Sequence, residues 1–111
     1  GKGRQEMKEK GLLFDINDLV SKMGKGEYWT DFLKIRNMEA GVLRLRPGEE
    51  DTQAPHEDDE LYFVVEGSGY IGMGKESRPV KKGSVIFVPA RMAHRFYGNK
   101  DTLVVLYVFA G

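Results

Sequence analysis

The sequence of 111 residues contains no cysteine and only two histidines. The absence of cysteine excludes disulfide scaffolds, thiolate zinc sites, iron–sulfur clusters and cysteine nucleophiles. Any imidazole chemistry must therefore use His56, His94 or both. An excess of charge of one sign is also lacking, because 17 basic side chains balance 17 acidic ones. Nucleic-acid-binding proteins usually carry a clear basic excess, so we expect no nucleic-acid partner.

Long apolar runs are missing as well. The longest one, Leu103–Ala110, is far shorter than the ~20 residues that a membrane-spanning helix requires. Residues 1–6 are polar and lack the apolar region of a signal peptide. We therefore expect a cytoplasmic protein with no membrane partner.

What remains is the composition of one small folded domain. Hydrophobic residues make up 41% of the chain. Glycine, at 14 residues, has about twice its usual share, which indicates many turns. We expect a flexible tail over residues 1–11 and a single domain over residues 12–111.

Strand signals dominate this domain. Apolar spacing predicts one short helix over residues 14–24, with Asp15 as its N-cap. Runs of β-branched and aromatic residues then alternate with glycine-containing turns. The predicted strands cover residues 28–35, 40–46, 61–66, 70–73, 78–80, 85–88, 94–97 and 103–109. This arrangement indicates an all-β sandwich or barrel.

Residues 48–60 form an acidic stretch that ends where a strand is predicted. Seven of its thirteen residues are acidic, none is basic, and His56 lies among them. One interpretation is a solvated acidic loop. The other is a divalent-metal site, because the His56 imidazole and the Glu60 carboxylate lie across a short turn and both suit such an ion.

A second informative stretch covers residues 83–96. An apolar strand ends at Pro89, and His94 begins the next strand. Taken alone, His94 is typical of a hydrogen-bonded histidine in a core or at its rim.

Together the two stretches resemble the two sequence motifs of the cupin superfamily. The first motif, G-x5-H-x-H-x3-E-x6-G, is matched over residues 48–67 with one departure, Ala54 in place of the first histidine. The second, G-x5-P-x-G-x2-H-x3-N, is matched from residue 83 onward. It departs at Arg91, which replaces a glycine, and its final asparagine comes one position late.

The resemblance implies a double-stranded β-helix, which is a jelly-roll barrel of two sheets with any metal inside it. It assigns His56, Glu60 and His94 as ligands of a divalent transition metal (Fe, Mn, Ni, Cu or Zn). Two imidazoles and one carboxylate are also the composition of the facial triad of non-haem Fe(II) oxygenases.

Ala54 cannot bind a metal, and three options stay open. The metal can be held by three protein ligands and water. Gln53 or Asp58 can supply a substitute oxygen, although strand alternation would point Gln53 outward. Alternatively, no metal binds and the barrel holds an organic ligand.

Alternation along the strands predicts a mainly apolar pocket beside the ligands, because Tyr62 faces inward if Glu60 does. The predicted pocket residues are Ala54, Tyr62, Val64, Phe96 and Tyr107. Tyr62 is a candidate catalytic acid or hydrogen-bond donor. Arg44, Arg91 and Arg95 are candidates for orienting an anionic substrate, with surface charge as the alternative role.

The resemblance favours a metal-dependent enzyme that acts on a small organic molecule, either dioxygenase-like or isomerase- or decarboxylase-like. The alternative is a non-catalytic module that binds or senses a sugar, a metabolite or a metal. Exposed edge strands in so small a barrel also predict a homodimer.

Overall fold

A computed structural model describes residues 10–111. Residues 1–9, which make up most of the expected tail, lie outside the described residues. One helix, α1 (Ile16–Ser21), precedes the strands in the described part of the chain. Over residues 10–111 the structure contains no helix with the length and hydropathy to cross a membrane.

Helix α1 is shorter than the predicted span of residues 14–24. Asp15 is its N-cap, as predicted, and accepts a hydrogen bond from the backbone N–H of Asp18 at 3.0 Å. Phe14 stays outside the helix, where its ring packs on Phe32 with 4.7 Å between centroids. No helix residue is fully buried, so α1 covers the barrel without entering its core.

Eight antiparallel strands form two sheets. The strands are β1 (Trp29–Ile35), β2 (Met38–Leu45), β3 (Asp59–Glu66), β4 (Ser68–Met73), β5 (Glu76–Lys81), β6 (Val85–Val88), β7 (His94–Tyr97) and β8 (Leu103–Ala110). The five-stranded sheet has the order β1-β2-β8-β3-β6, and the three-stranded sheet has the order β5-β4-β7. The fold is the double-stranded β-helix implied by the resemblance.

The core lies between the two sheets, and in β3, β6 and β7 every second residue is buried. The central strands β2 and β8 also bury consecutive residues. In β3, Glu60, Tyr62 and Val64 are buried while their neighbours Leu61 and Phe63 are exposed. This pattern confirms the predicted alternation. Strand β3 begins at Asp59, two residues earlier than predicted, so Glu60 belongs to the strand and the pleat fixes the direction of its side chain.

The connection between β6 and β7 is held against the loop before β3. The backbone N–H of Arg91 donates to the carbonyl of His56 at 2.6 Å, and that of Ala90 donates to Asp59 Oδ1 at 2.9 Å. Arg91 has a φ of 67° and is the only non-glycine residue with a positive φ among residues 10–111. The left-handed conformation that suits the family's glycine is thus kept here by an arginine.

We expect Arg91→Gly to raise the free energy of unfolding by about 0.5–1 kcal/mol, because glycine removes the steric cost of this φ. Urea denaturation measures the change. The matched control is Arg91→Ala, which removes the guanidinium but keeps Cβ and gives no stabilisation. A gain of equal size in both variants would assign the effect to the charge.

Candidate metal centre

The structure brings the three predicted ligands together. His56 lies in the loop between β2 and β3, Glu60 is the second residue of β3, and His94 is the first residue of β7. Oε1 of Glu60 lies 3.9 Å from Nε2 of His56 and 3.2 Å from Nε2 of His94. One potential ligand atom from each residue lies within 4.8 Å of the others.

His94 has a fixed orientation. Its Nδ1 lies 2.9 Å from the carbonyl oxygen of Met92, which is an acceptor, so Nδ1 carries the proton and donates it. In the neutral ring Nε2 then presents a lone pair toward Glu60. Both Nε2 of His94 and Oε1 of Glu60 are buried, and neither has a hydrogen-bond partner of acceptable geometry.

Burial lowers the pKa of His94, but the neighbouring Glu60 carboxylate and the Met92 carbonyl act in the opposite direction. The net pKa lies above its ordinary value. The environment of this ring therefore favours positive charge. A proton or a metal ion between His94 and Glu60 satisfies that demand.

The donor set and its spacing fit a transition metal. Two atoms bound to one ion at ~2.1 Å are ~3.0–3.4 Å apart at octahedral or tetrahedral angles, so the 3.2 Å between Glu60 and His94 already fits. His56, at 3.9 Å from Glu60, would have to move inward. Imidazole nitrogen with carboxylate oxygen is a ligand combination used for iron, copper, nickel and zinc. The carbonyl behind His94 is the kind of supporting partner that metal-bound histidines usually have.

The structure contradicts the expectation that strand alternation points Gln53 outward. It lies in a loop rather than a strand, so alternation does not apply and its side chain points toward the ligands. Its Oε1 is 3.0 Å from Nε2 of His56, and it accepts a hydrogen bond from the Tyr62 hydroxyl at 3.3 Å. Its Nε2 donates to Asp51 Oδ2 at 3.0 Å, which fixes the amide orientation.

Asp51 holds this loop against the barrel. Its buried carboxylate accepts hydrogen bonds from the backbone N–H of Phe96 at 2.9 Å, from the Tyr28 hydroxyl at 3.3 Å and from the Gln53 side chain. Phe96 is two residues beyond His94 in β7. The loop that carries His56 and the strand that carries His94 are therefore joined through one carboxylate.

Tyr62 is fully buried beneath the ligands, and its ring lies 5.9 Å from that of His94. Burial raises the pKa of Tyr62, and the charges of Glu60 and Asp51 act in the same direction. Its hydroxyl therefore stays protonated at neutral pH and donates to Gln53.

His56 and Glu60 border a pocket of about 450 Å³, whereas His94 is not among its lining residues. The predicted pocket residues Ala54 and Tyr107 line it, whereas Tyr62, Val64 and Phe96 lie in the core cluster beneath it. The complete lining is Tyr28, Trp29, Asp31, Glu39, Thr52, Gln53, Ala54, His56, Glu57, Asp58, Glu60, Tyr107 and Phe109.

Asp58 lines this pocket but lies outside the ligand group and is exposed. Its carboxylate lies against Gly111 instead. The candidate arginines Arg44, Arg91 and Arg95 are not among the lining residues. Arg95 instead places its guanidinium 4.8 Å from the centre of the Tyr97 ring.

Sequence reasoning did not single out three acidic residues that the structure places at the site: Asp31, Glu39 and Asp51. A usable signal existed for Asp31, which interrupts the apolar run of a predicted strand. No comparable signal marked Asp51, because six other acidic residues surround it in the same stretch.

We expect Asp51→Ala to lower the free energy of unfolding by about 2–4 kcal/mol, because the buried N–H of Phe96 and the Tyr28 hydroxyl lose their acceptor. Chemical denaturation measures the loss. Glu50→Ala, at the adjacent exposed position, is the control and changes stability by less than ~0.5 kcal/mol. Equal effects of the two substitutions would contradict the role given to Asp51.

Comparison with known proteins gives results consistent with this geometry. The family described as "Cupin domain" matches residues 41–109. An uncharacterised protein of Streptomyces coelicolor is 45% identical over 98 residues, which cover 87% of this chain and 93% of that protein. Acireductone dioxygenase 1 of Sorghum bicolor is 37% identical over 62 residues, or 50% of this chain and only 34% of the enzyme.

The fold also has solved counterparts. A Klebsiella pneumoniae protein with a double-stranded β-helix domain superposes with a TM-score of 0.77. The match is 17% identical and covers 91% of this chain and 90% of that one. The two motifs, the two-sheet barrel and the family match together show that this chain belongs to the cupin family.

Proposed function

We propose that the chain is a metal-dependent cupin enzyme of the dioxygenase type. In this proposal His56, Glu60 and His94 bind one divalent transition metal, and a small organic substrate occupies the adjacent pocket. The observation that carries the proposal is the buried pair of Nε2 of His94 and Oε1 of Glu60, which face each other at 3.2 Å and form no hydrogen bond of acceptable geometry. Leaving a buried polar atom unpaired costs about 1–3 kcal/mol, which a shared cation would recover.

Each protein group has a distinct task in this proposal. Glu60 and His94 come from strands and form a fixed pair, while His56 comes from a loop and completes the set. Gln53 Oε1 is placed to act as a fourth ligand where Ala54 replaces the family's histidine. Tyr62 is a positioning residue, since it is buried and acts through Gln53.

A bound redox-active metal supplies Lewis-acid and electron-transfer chemistry toward O₂ and an organic substrate. The chain itself orients the substrate and limits the access of water. Phe109 lines the same pocket as His56, with 4.6 Å between the ring centroids. The resemblance to an enzyme named acireductone dioxygenase supports the reaction class, and it covers only half of this chain.

The proposal predicts about one divalent transition metal per chain in the purified protein. His56→Ala and Glu60→Gln each remove a ligand and should weaken binding by more than the ~10–100-fold that loss of a supporting group costs. Ala54→His should tighten binding, because it restores the family's ligand. Elemental analysis and titration with Fe(II), Mn(II) and Zn(II) provide the measurement.

Asp58→Asn is the matched control, because it removes a pocket carboxylate that lies outside the ligand group. It should leave metal content unchanged. Equal trace metal in the wild type and all variants would overturn the proposal and favour a barrel that binds an organic ligand.

We also propose that the chain forms a homodimer through the outer face and edge of β6. Leu61 pairs with Phe87, and Phe63 pairs with Val85, which gives four adjacent apolar side chains that are 41–61% exposed. Strand β6 is at the edge of its sheet in the described structure. Antiparallel pairing of an edge strand with its own copy obeys two-fold symmetry and would join both apolar faces.

Sedimentation at micromolar concentration should therefore show a dimer for the wild type and a monomer for Phe87→Glu, because a charge would be buried at the interface. Ile35→Glu, at an exposed apolar position in the opposite edge strand β1, should remain dimeric. A monomeric wild type, or equal effects of both substitutions, would contradict this interface.

A further inference from the structure

The walls of the pocket carry charge of one sign. Five carboxylates line it, and none of its lining residues is lysine or arginine. These carboxylates belong to Asp31, Glu39, Glu57, Asp58 and Glu60. A divalent ion would offset only two of the negative charges, so a metal-loaded pocket still repels anions and attracts cations.

One of these carboxylates is buried with an unsatisfied oxygen. Glu60 is only 2% exposed, and its Oε1 has no hydrogen-bond partner although the residue borders the pocket. This observation is independent of the number of acidic groups. It indicates that positive charge, from a metal ion or a proton beside His94, is required at the ligand end of the pocket.

Aromatic rings form much of the remaining wall. Tyr28, Trp29, Tyr107 and Phe109 line the same space. Trp29 is the only tryptophan of the sequence, and its side chain is 52% exposed. The faces of aromatic rings attract ammonium groups, and tryptophan does so best. Carboxylates combined with aromatic faces are a recognition surface for organic cations.

The strand register sets the distance between the two ends of the pocket. Glu39 in β2 lies opposite Phe109 in β8, which lies opposite Glu60 in β3. With strands ~4.8 Å apart, the two glutamates are separated by about 10 Å across the Phe109 ring. A molecule lying over Phe109 can therefore reach the ligand group at one end and Glu39 at the other.

A neighbouring row holds Asp31 beside Glu39. Asp31, Gly41 and Tyr107 are opposite one another in β1, β2 and β8. The Tyr107 hydroxyl crosses over Gly41 and donates to Asp31 Oδ1 at 2.5 Å. A Cβ atom on Gly41 would lie 2.1 Å from that hydroxyl, so only glycine permits the contact. A register shift beside Phe32 accompanies this placement of Asp31.

Asp31 and Glu39 interact with each other. The neighbouring Asp31 carboxylate and partial burial raise the pKa of Glu39, while Lys34, the cross-strand partner of Glu39, acts in the opposite direction. Two carboxylates this close gain from a cation placed between them.

We propose that the substrate of this pocket is a small organic amine, protonated at neutral pH, whose ammonium group is bound by Asp31 and Glu39. The inference rests on the proposed function, because it assigns the substrate class of the same site. The non-polar part of the amine lies over Phe109, and its other end reaches the ligands.

Three matched probes test the charge requirement on the full chain. Benzylamine, benzyl alcohol and benzoate share one ring and differ in charge, and each is small enough for about 450 Å³. Calorimetric titration at neutral pH and fixed ionic strength should show benzylamine binding at least about tenfold more tightly than benzyl alcohol. Benzoate should bind more weakly than either.

Glu39→Gln keeps the shape of the side chain and removes its charge. It should abolish most of the preference for benzylamine over benzyl alcohol. Glu66→Gln makes the same charge change at an exposed residue that does not line the pocket, and should keep the preference. Thermal unfolding of both variants verifies that they fold.

Equal binding of the three probes, binding of none at millimolar concentration, or equal effects of the two variants would overturn the inference. Metal content measured on the same samples separates it from the proposed function. Amine preference without metal would remove the enzyme proposal and leave the amine site. Metal binding without a preference for the amine would remove the amine site and leave the enzyme proposal.

Discussion

The candidate site depends on one buried carboxylate, that of Asp51. The loop between β2 and β3 has no strand partner of its own, yet it carries both Gln53 and His56. Asp51 ties this loop to the backbone of β7, the strand that supplies His94. A carboxylate suits this position because its two oxygens accept several hydrogen bonds at once, which neutral side chains of similar size cannot do.

The site therefore combines a rigid half and an adaptable half. Glu60 and His94 are strand residues with fixed side-chain directions, and the Met92 carbonyl holds the His94 ring in one orientation. His56 and Gln53 belong to the loop and contact each other. In that contact Nε2 of His56 donates its proton to the amide oxygen of Gln53, so a metal can bind Nε2 only once that proton lies on Nδ1. The loop side of the site therefore determines how readily a metal is accepted.

Much of the fold could be predicted from the sequence, because period-2 alternation and glycine turns are local signals. The eight strands and the inward direction of Glu60, Tyr62 and Phe96 follow from these signals. The position of Gln53 could not be predicted, since the residue lies in a loop where alternation fails. Asp31 and Glu39 are brought close together by the register of β1 against β2, which the sequence of neither strand reveals alone.

Gly41 has a consequence for how selectivity can change in this family. Gly41 is not among the residues that line the pocket, but the absence of a side chain at this position lets Tyr107 reach Asp31. A single methyl group at position 41 would clash with the phenol and would lie 2.5 Å from the carbonyl oxygen of Thr30, so both Tyr107 and strand β1 would have to move away from Gly41. Two cupins with identical metal ligands and identical acidic residues can therefore accept different molecules. A comparison limited to residues that contact the bound molecule would not include the position that causes this difference.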